Sequence, residues 1–226
     1  MSETHSISNF ILDHNNQYIV AIKPAGMPIV PDQSGDPNLK NILEAYSKHD
    51  LHVISRIDRP VSGLALFAKS QNAAKALSEQ LIQQKVVKTY LAIVEKTPPT
   101  DKEELIHFLS KGKGNKAVVV SEESKGSKKS ILSYSTLVKL DNYTILQVEL
   151  KTGRFHQIRA QLAHIGCPIK GDVKYGARRK NKDRSINLHA FEISFEHPVT
   201  KEIKLYKTLP NPEDTLWQIA NEHLEQ

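Results

Sequence analysis

The 226-residue chain contains one cysteine, Cys167, so an internal disulfide is excluded. No apolar run approaches the roughly 20 residues that a membrane-spanning helix requires, which argues against a membrane protein. The opening MSETHSISNF has neither the basic flank nor the apolar centre of a secretory signal. Together these absences lead to the expectation of a reduced, cytoplasmic compartment. Several catalytic signatures are missing as well. GKGNK at 112–116 lacks the glycine, lysine and hydroxyl spacing of a phosphate-binding loop. The isolated cysteine and the lack of histidine pairs at i, i+4 speak against a zinc site. His156 and His164 would stand roughly 12 Å apart along a helix, too far to share a metal. PVSGL has no nucleophile-elbow context, so Ser62 reads as a turn residue. With no repeat and no linker in view, one domain over 1–226 is expected, and a monomer, because no exposed apolar stripe is identifiable.

What is present is an ordinary globular composition, 39% hydrophobic and 25% charged, with a basic excess of +6. Such an excess suits a polyanionic partner such as RNA or DNA. The basic residues cluster in KGKGNK at 111–116, KGSKK at 125–129 and RRKNKDR at 178–184. Taken one at a time, such stretches are ordinary solvated loops; their recurrence favours phosphate contact.

Periodicity outlines a fold. QYIVAI at 17–22 predicts a buried strand, followed by the shaped, proline- and glycine-rich loop KPAGMPIVPDQSGD. GLALFAK at 63–69 predicts a second strand, and Ala73, Leu77 and Leu81 at spacing four predict an amphipathic helix after it. VVKTYLAIV at 86–94 and YTILQVEL at 143–150 read as strands, and between them the lysine-rich stretch 111–130 separates KAVVV from ILSYSTLVK and resembles a hairpin with a long, mobile tip. TGRFHQIRAQLAHIG reads as a helix opened by Thr152 or Gly153 and closed by Gly166. Its stripe of Phe155, Ile158, Leu162 and Ile165 faces a core, and His156, Arg159 and Ala163 share another line. Phe191, Ile193 and Phe195 alternate with polar residues, a return strand holds Ile203 and Leu205, and a helix closes the chain around Leu216, Ala220 and Leu224. Strands outnumber helices and many are hairpin-linked. The expected class is α+β: a single domain on a largely antiparallel mixed β-sheet with flanking helices and loops.

HVISRIDRPVSGL at 52–64 sets Arg56, Asp58 and Arg59 at a bend stiffened by Pro60. A carboxylate held near an arginine stays charged at neutral pH and can serve as nucleophile or base. The plainer alternative is a surface ion pair or turn former, with Tyr90 a core residue and Arg159 a solvated one.

Longer segments shift that balance. SRIDRPVSGLALFAKS resembles the H-R-L-D-x-x-T-S-G-L motif of the RluA-type RNA pseudouridine synthase family. AIKPAGMPI resembles that family's K-P-x-G loop, and KTYLAIV its K-x-Y-x-A segment. LKTGRFHQIRAQLAHIGCPIKGDVKYG resembles its T-G-R-x-H-Q-I-R stretch through to G-D-x-x-Y-G, and LHAFEISFEHPVTKE its closing hairpin. These five ordered matches run from about residue 20 to 206. The family breaks the N1 glycosidic bond of uridine in RNA and rejoins the base through C5, a rearrangement that requires no cofactor and no metal.

The resemblance implies that Asp58 is the catalytic aspartate, that Tyr90 stacks on the target base, and that Arg159 pairs with Asp58. Arg56 would fill the space left by the flipped uridine, offsetting part of the few kcal/mol that extrusion costs. Arg59, Arg154, His156 and Lys170 are the further expected RNA contacts. Attack on the ribose, attack on the base and removal of a ribose proton all remain open to Asp58. Ser55 stands where the family usually has His, Val61 where it has Thr, and Phe155 where Thr is common. With so few residues before Gln17, the separate N-terminal RNA-binding module of some relatives is not expected, and substrate choice would rest on the catalytic domain itself, through the basic loops at 111–129 and 178–184. Ribosomal or transfer RNA is the expected substrate. Two other readings are an RNA-binding or remodelling protein that keeps the fold, and an enzyme acting on free nucleosides.

Overall fold

The structure is a computed structural model that describes residues 7–225. It is α+β, with a mixed, mostly antiparallel sheet and four α-helices among the described residues. The chain divides into two compact units, residues 1–86 with 190–208 and residues 87–189 with 209–226.

The first unit holds β1 (Ile11–His14), β2 (Tyr18–Lys23), α1 (Leu39–Ser47), β3 (His52–Ser55), β4 (Ser62–Ala68) and α2 (Gln71–Ile82). Most of one later strand, running from Leu188 to Glu196, and the strand Ile203–Lys207 also belong to it. β2 pairs antiparallel with β4, Tyr18 opposite Ala68 and Lys23 opposite Gly63, and β1 and β3 add to their outer sides. Tyr18, Ile19, Val20 and Ala21 are wholly buried, as are Ala65, Leu66, Phe67 and Ala68, so both strands are apolar along their length rather than alternating. Side-chain caps start the helices: Asn38 accepts from the Asn41 N–H, and Ser70 from that of Ala73. The Gln80 side chain bonds both backbone groups of Glu196, fastening α2 to the late strand.

The second unit holds β5 (Val87–Val94), β6 (Lys102–Gly112), β7 (Lys116–Val120), β8 (Lys128–Lys139), β9 (Thr144–Leu150), α3 (Gln157–His164) and α4 (Thr215–Leu224). The two later strands are β10 (Leu188–Glu196), of which only Leu188 and His189 fall in this unit, and β11 (Ile203–Lys207) of the first unit. Its strand order is β5-β9-β8-β6-β7, antiparallel throughout. The basic stretch at 111–130 is not one long hairpin tip. KAVVV forms β7 and ILSYSTLVK lies in β8, but the two do not pair with each other: β7 pairs with β6 after a tight turn past Gly112, and β8, reached by a second connection over 121–127, pairs with β6 as well.

Two further expectations are corrected. Ser62 opens β4 rather than forming the turn, which closes one residue earlier through the Val61 N–H and the Asp58 carbonyl (3.0 Å). α3 begins only at Gln157, because the preceding segment bonds to β8 instead of coiling. Lys151 and Thr152 donate backbone N–H groups to the Ile131 carbonyl, and Thr152 Oγ1 accepts from the Ile131 N–H at 2.8 Å. Gln157 Oε1 takes the Arg154 N–H at 3.0 Å and the Thr152 hydroxyl at 2.8 Å. His156 therefore sits outside the helix, at φ 51°, and does not share a line with Arg159 and Ala163. Phe155 likewise leaves the core stripe and is 48% exposed, while Ile158 and Leu162 are buried as expected.

Candidate active site

In the first unit the Asp58 turn follows β3 and precedes β4, and it is gripped by the loop after β2. Lys23 ends β2 with its whole side chain buried, and its ammonium donates to three carbonyls: Pro24 at 2.7 Å, Met27 at 2.9 Å and Arg59 at 3.0 Å. The Gly26 N–H donates to the same Arg59 carbonyl at 2.8 Å. Burial pushes the Lys23 ammonium down to about 7, and the nearby Asp58 carboxylate pulls in the opposite direction.

The Arg59 guanidinium faces back toward that loop. It donates to the Gly26 carbonyl at 2.9 Å, the Ser34 hydroxyl at 2.9 Å and the Asp32 carboxylate at 3.1 Å, and it pairs with Asp36. These carboxylates hold its pKa above the ordinary arginine value. Backbone and side chain of Arg59 thus tie two loops together, and Asp58, half-buried between Ile57 and Arg59, inherits a fixed backbone. Arg56 is exposed and makes no hydrogen bond or ion pair with another described residue.

In the second unit Arg159 is 4% exposed, not solvated. Its Nε and Nη2 donate to the two oxygens of Asp172, at 2.7 and 2.9 Å, a fork that fixes the guanidinium plane. Its guanidinium carbon lies 5.0 Å from the centre of the Tyr175 ring. The Tyr175 hydroxyl accepts the Ala117 N–H at 2.7 Å and meets His156 Nδ1 at 2.9 Å. Arg159, Tyr175 and His156 therefore form one connected group. Tyr90 lies on β5 opposite Val148 and is 5% exposed. Two residues before it, burial lowers the pKa of the Lys88 ammonium, whose Nζ lies 3.3 Å from where a side chain on Gly153 would begin.

The remaining expected RNA contacts differ in their surroundings. Arg154 is exposed, with Nε donating to the Lys129 carbonyl at 3.3 Å. Lys170 turns inward to Asn181 at 3.2 Å, Asn187 at 3.0 Å and Asp214 at 3.5 Å. Asp58, Arg56 and Arg59 belong to the first unit, and Tyr90, Arg154, His156, Arg159 and Lys170 to the second. Lys23, Asp172 and Tyr175 were not singled out from sequence, although each stands in a quoted motif, the K-P-x-G loop or the G-D-x-x-Y-G segment. No group of three or more His, Cys, Asp or Glu among the described residues is placed to hold a metal. No helix among them is long and apolar enough to cross a membrane.

A family model described as RNA pseudouridylate synthase matches residues 17–164. The ribosomal large subunit pseudouridine synthase C of Buchnera aphidicola subsp. Baizongia pistaciae is 33% identical over 210 residues, covering 86% of this chain and 65% of that protein. The tRNA pseudouridine synthase C of Vibrio parahaemolyticus is 28% identical, covering 91% of each chain. The chain thus spans less than two thirds of the first of these relatives and nearly all of the second. Among solved structures, human RNA Pseudouridylate Synthase Domain Containing 4 matches with a TM-score of 0.74 over 97% of this chain and 94% of its own, at 23% identity, a likeness of fold.

Proposed function

Because the chain belongs to the RNA pseudouridylate synthase family, we propose that it isomerises uridines of RNA to pseudouridine, with Asp58 as the catalytic carboxylate. The observation that carries this reading is the construction of the Asp58 turn. A buried ammonium and a backbone N–H converge on the carbonyl of Arg59, the residue next to Asp58, and the Arg59 guanidinium reaches back to the Gly26 carbonyl and Asp32. A surface turn has no use for a wholly buried lysine, whereas a catalytic group must be held to within a fraction of an ångström.

Under this reading Tyr90 stacks on the target base and Arg159 is the ionic partner of Asp58. Arg56, exposed and unengaged by other described side chains, fills the gap left by the extruded uridine. The N1–C1′ bond breaks, the same base rotates, a C5–C1′ bond forms, the C5 proton leaves and N1 takes up a proton, so nothing is oxidised and no external group is consumed. The names of the relatives favour ribosomal or transfer RNA as substrate. One catalytic domain over residues 1–226, working as a monomer without cofactor or metal in the cytoplasm, completes the proposal.

The test maps pseudouridine across total RNA from cells that lack this chain and from cells rescued with wild type or Asp58→Ala. Positions that vanish and return only with wild type would support isomerisation and name the substrate. Full restoration by Asp58→Ala would replace it with an RNA-binding role. If no position changes and purified wild type also leaves unmodified RNA unchanged, the isomerase reading fails.

A further inference from the structure

Phe155 is an exposed aromatic where the sequence pattern called for a buried one, and it is not a loose side chain. Its ring stacks on that of His156, with centroids 3.8 Å apart and planes inclined by 20°. His156 is itself fixed: its backbone is left-handed at φ 51°, and its Nδ1 meets the Tyr175 hydroxyl at 2.9 Å. Tyr175 is held by the Ala117 N–H and lies against Arg159, which is locked to Asp172. A chain of contacts therefore runs from the buried ion pair to a ring that is 48% exposed.

Cations stand beside Phe155 in the chain and on the segments that its contacts lead to. Arg154 precedes it in the chain and reaches the Lys129 carbonyl, so Arg154, Lys128 and Lys129 share one exposed stretch. Lys116 lies 6.0 Å from the centre of the Tyr175 ring, and Lys174 is held by the Asn115 carbonyl at 3.1 Å. An isolated exposed apolar residue needs no explanation. An exposed aromatic that is immobilised on a second ring, with cations on its own and adjoining segments, has the two parts of a single-strand nucleic-acid contact, a π-face for a base and positive charge for the phosphates beside it.

We propose that Phe155, backed by His156, is a stacking platform for an unpaired nucleobase of the RNA substrate. The proposal rests on the RNA reading above. The platform does no chemistry: it fixes the register of the strand, and any base can use it, because every base has a π-face.

The experiment measures binding of a short unstructured RNA oligonucleotide, and of the same strand in a duplex, to wild type, Phe155→Ala, Phe155→Leu and Phe155→Trp. Pseudouridine formation and thermal unfolding are followed alongside. Loss of one base stack should weaken single-strand binding by about 5- to 100-fold in Phe155→Ala and nearly as much in Phe155→Leu, which keeps apolar bulk but no π-face. Phe155→Trp should bind at least as well as wild type, and duplex binding and unfolding temperature should change little. Wild-type modification of RNA together with single-strand affinities of Phe155→Ala and Phe155→Leu within twofold of wild type would overturn the platform and leave the RNA reading standing. A wild type that neither binds nor modifies RNA would remove both.

Discussion

Replacing Lys23 by Met separates the two things its ammonium does. The side chain is wholly buried, and three carbonyls depend on it, those of Pro24, Met27 and Arg59. Leaving a buried acceptor without a donor costs roughly 1–3 kcal/mol, so the loop that carries Asp58 should loosen and turnover should fall. The charge itself works against the fold. A fall from 10.5 to about 7 corresponds to on the order of 5 kcal/mol against the protonated form. The sign follows from the direction of the shift. Between pH 7 and 10.5 the unfolded lysine keeps its proton while the folded one has lost it, so wild-type stability rises with pH in that window. The Met variant lacks this dependence. Denaturant unfolding of both proteins at about pH 7 and about pH 9 should show wild type gaining roughly 2–3 kcal/mol on Lys23→Met. A difference that does not change with pH would refute the burial argument, and an undiminished turnover in the variant would refute the clamp.

Gly63 has φ +110°, and a side chain there would begin 2.3 Å from the Ala190 carbonyl oxygen, a backbone atom that cannot step aside. Gly63→Ala should lose roughly 3–5 kcal/mol in equilibrium unfolding, and a loss below about 1 would show that the strands can part cheaply. Asp172→Ala should cost roughly 1–3 kcal/mol, because it leaves the Nε and Nη2 donors of the buried Arg159 guanidinium without the carboxylate that takes them. The double variant Arg159→Met with Asp172→Leu should recover much of that stability yet remain inactive on RNA. Activity in the stable double variant would show that Arg159 serves only the fold.

Elements whose burial follows a simple period were legible. β9 and β10 place Leu146, Val148, Phe191, Ile193 and Phe195 inward, as alternation implies, and α2 buries Ala73 and Leu77 at the expected spacing of four. β6 was missed for a physical reason. Its two buried residues, Leu105 and Leu109, are four apart, a helical spacing, and charged residues surround them. It is a strand because β7 and β8 pair with it on both edges, a tertiary demand that outweighs its own pattern. β1 and β3 are four residues each, too short to show a period. α1 did carry a signal, Asn38 as its cap with Leu39 and Leu43 buried behind it, in the shadow of the proline-rich loop.

The site was legible in a different way, because Asp58, Lys23's partners and His156 sit in turns and loops where the backbone has no period. The Asp58 turn is shaped by a lysine that ends another strand, and His156 is displaced from α3 because the Gln157 side chain satisfies the loop before it. Neither arrangement leaves a trace in the spacing of apolar residues. What periodicity could offer was a negative: Arg159 on a helical line was free for a site, and Tyr90 in an apolar strand looked like core. The quoted motifs supplied the rest, since a motif records contacts between distant segments as a run of fixed residues. Lys23, Asp172 and Tyr175 are the measure of that. Each lay in a motif already recognised, and each gained a role only when the lysine was seen against its three carbonyls, the aspartate in the guanidinium fork, and the tyrosine between His156 and Arg159. Residues fixed by a motif but idle in the periodic reading are therefore the ones whose partners should be sought first, and Phe155, which departs from its motif, is where this chain can differ from its relatives.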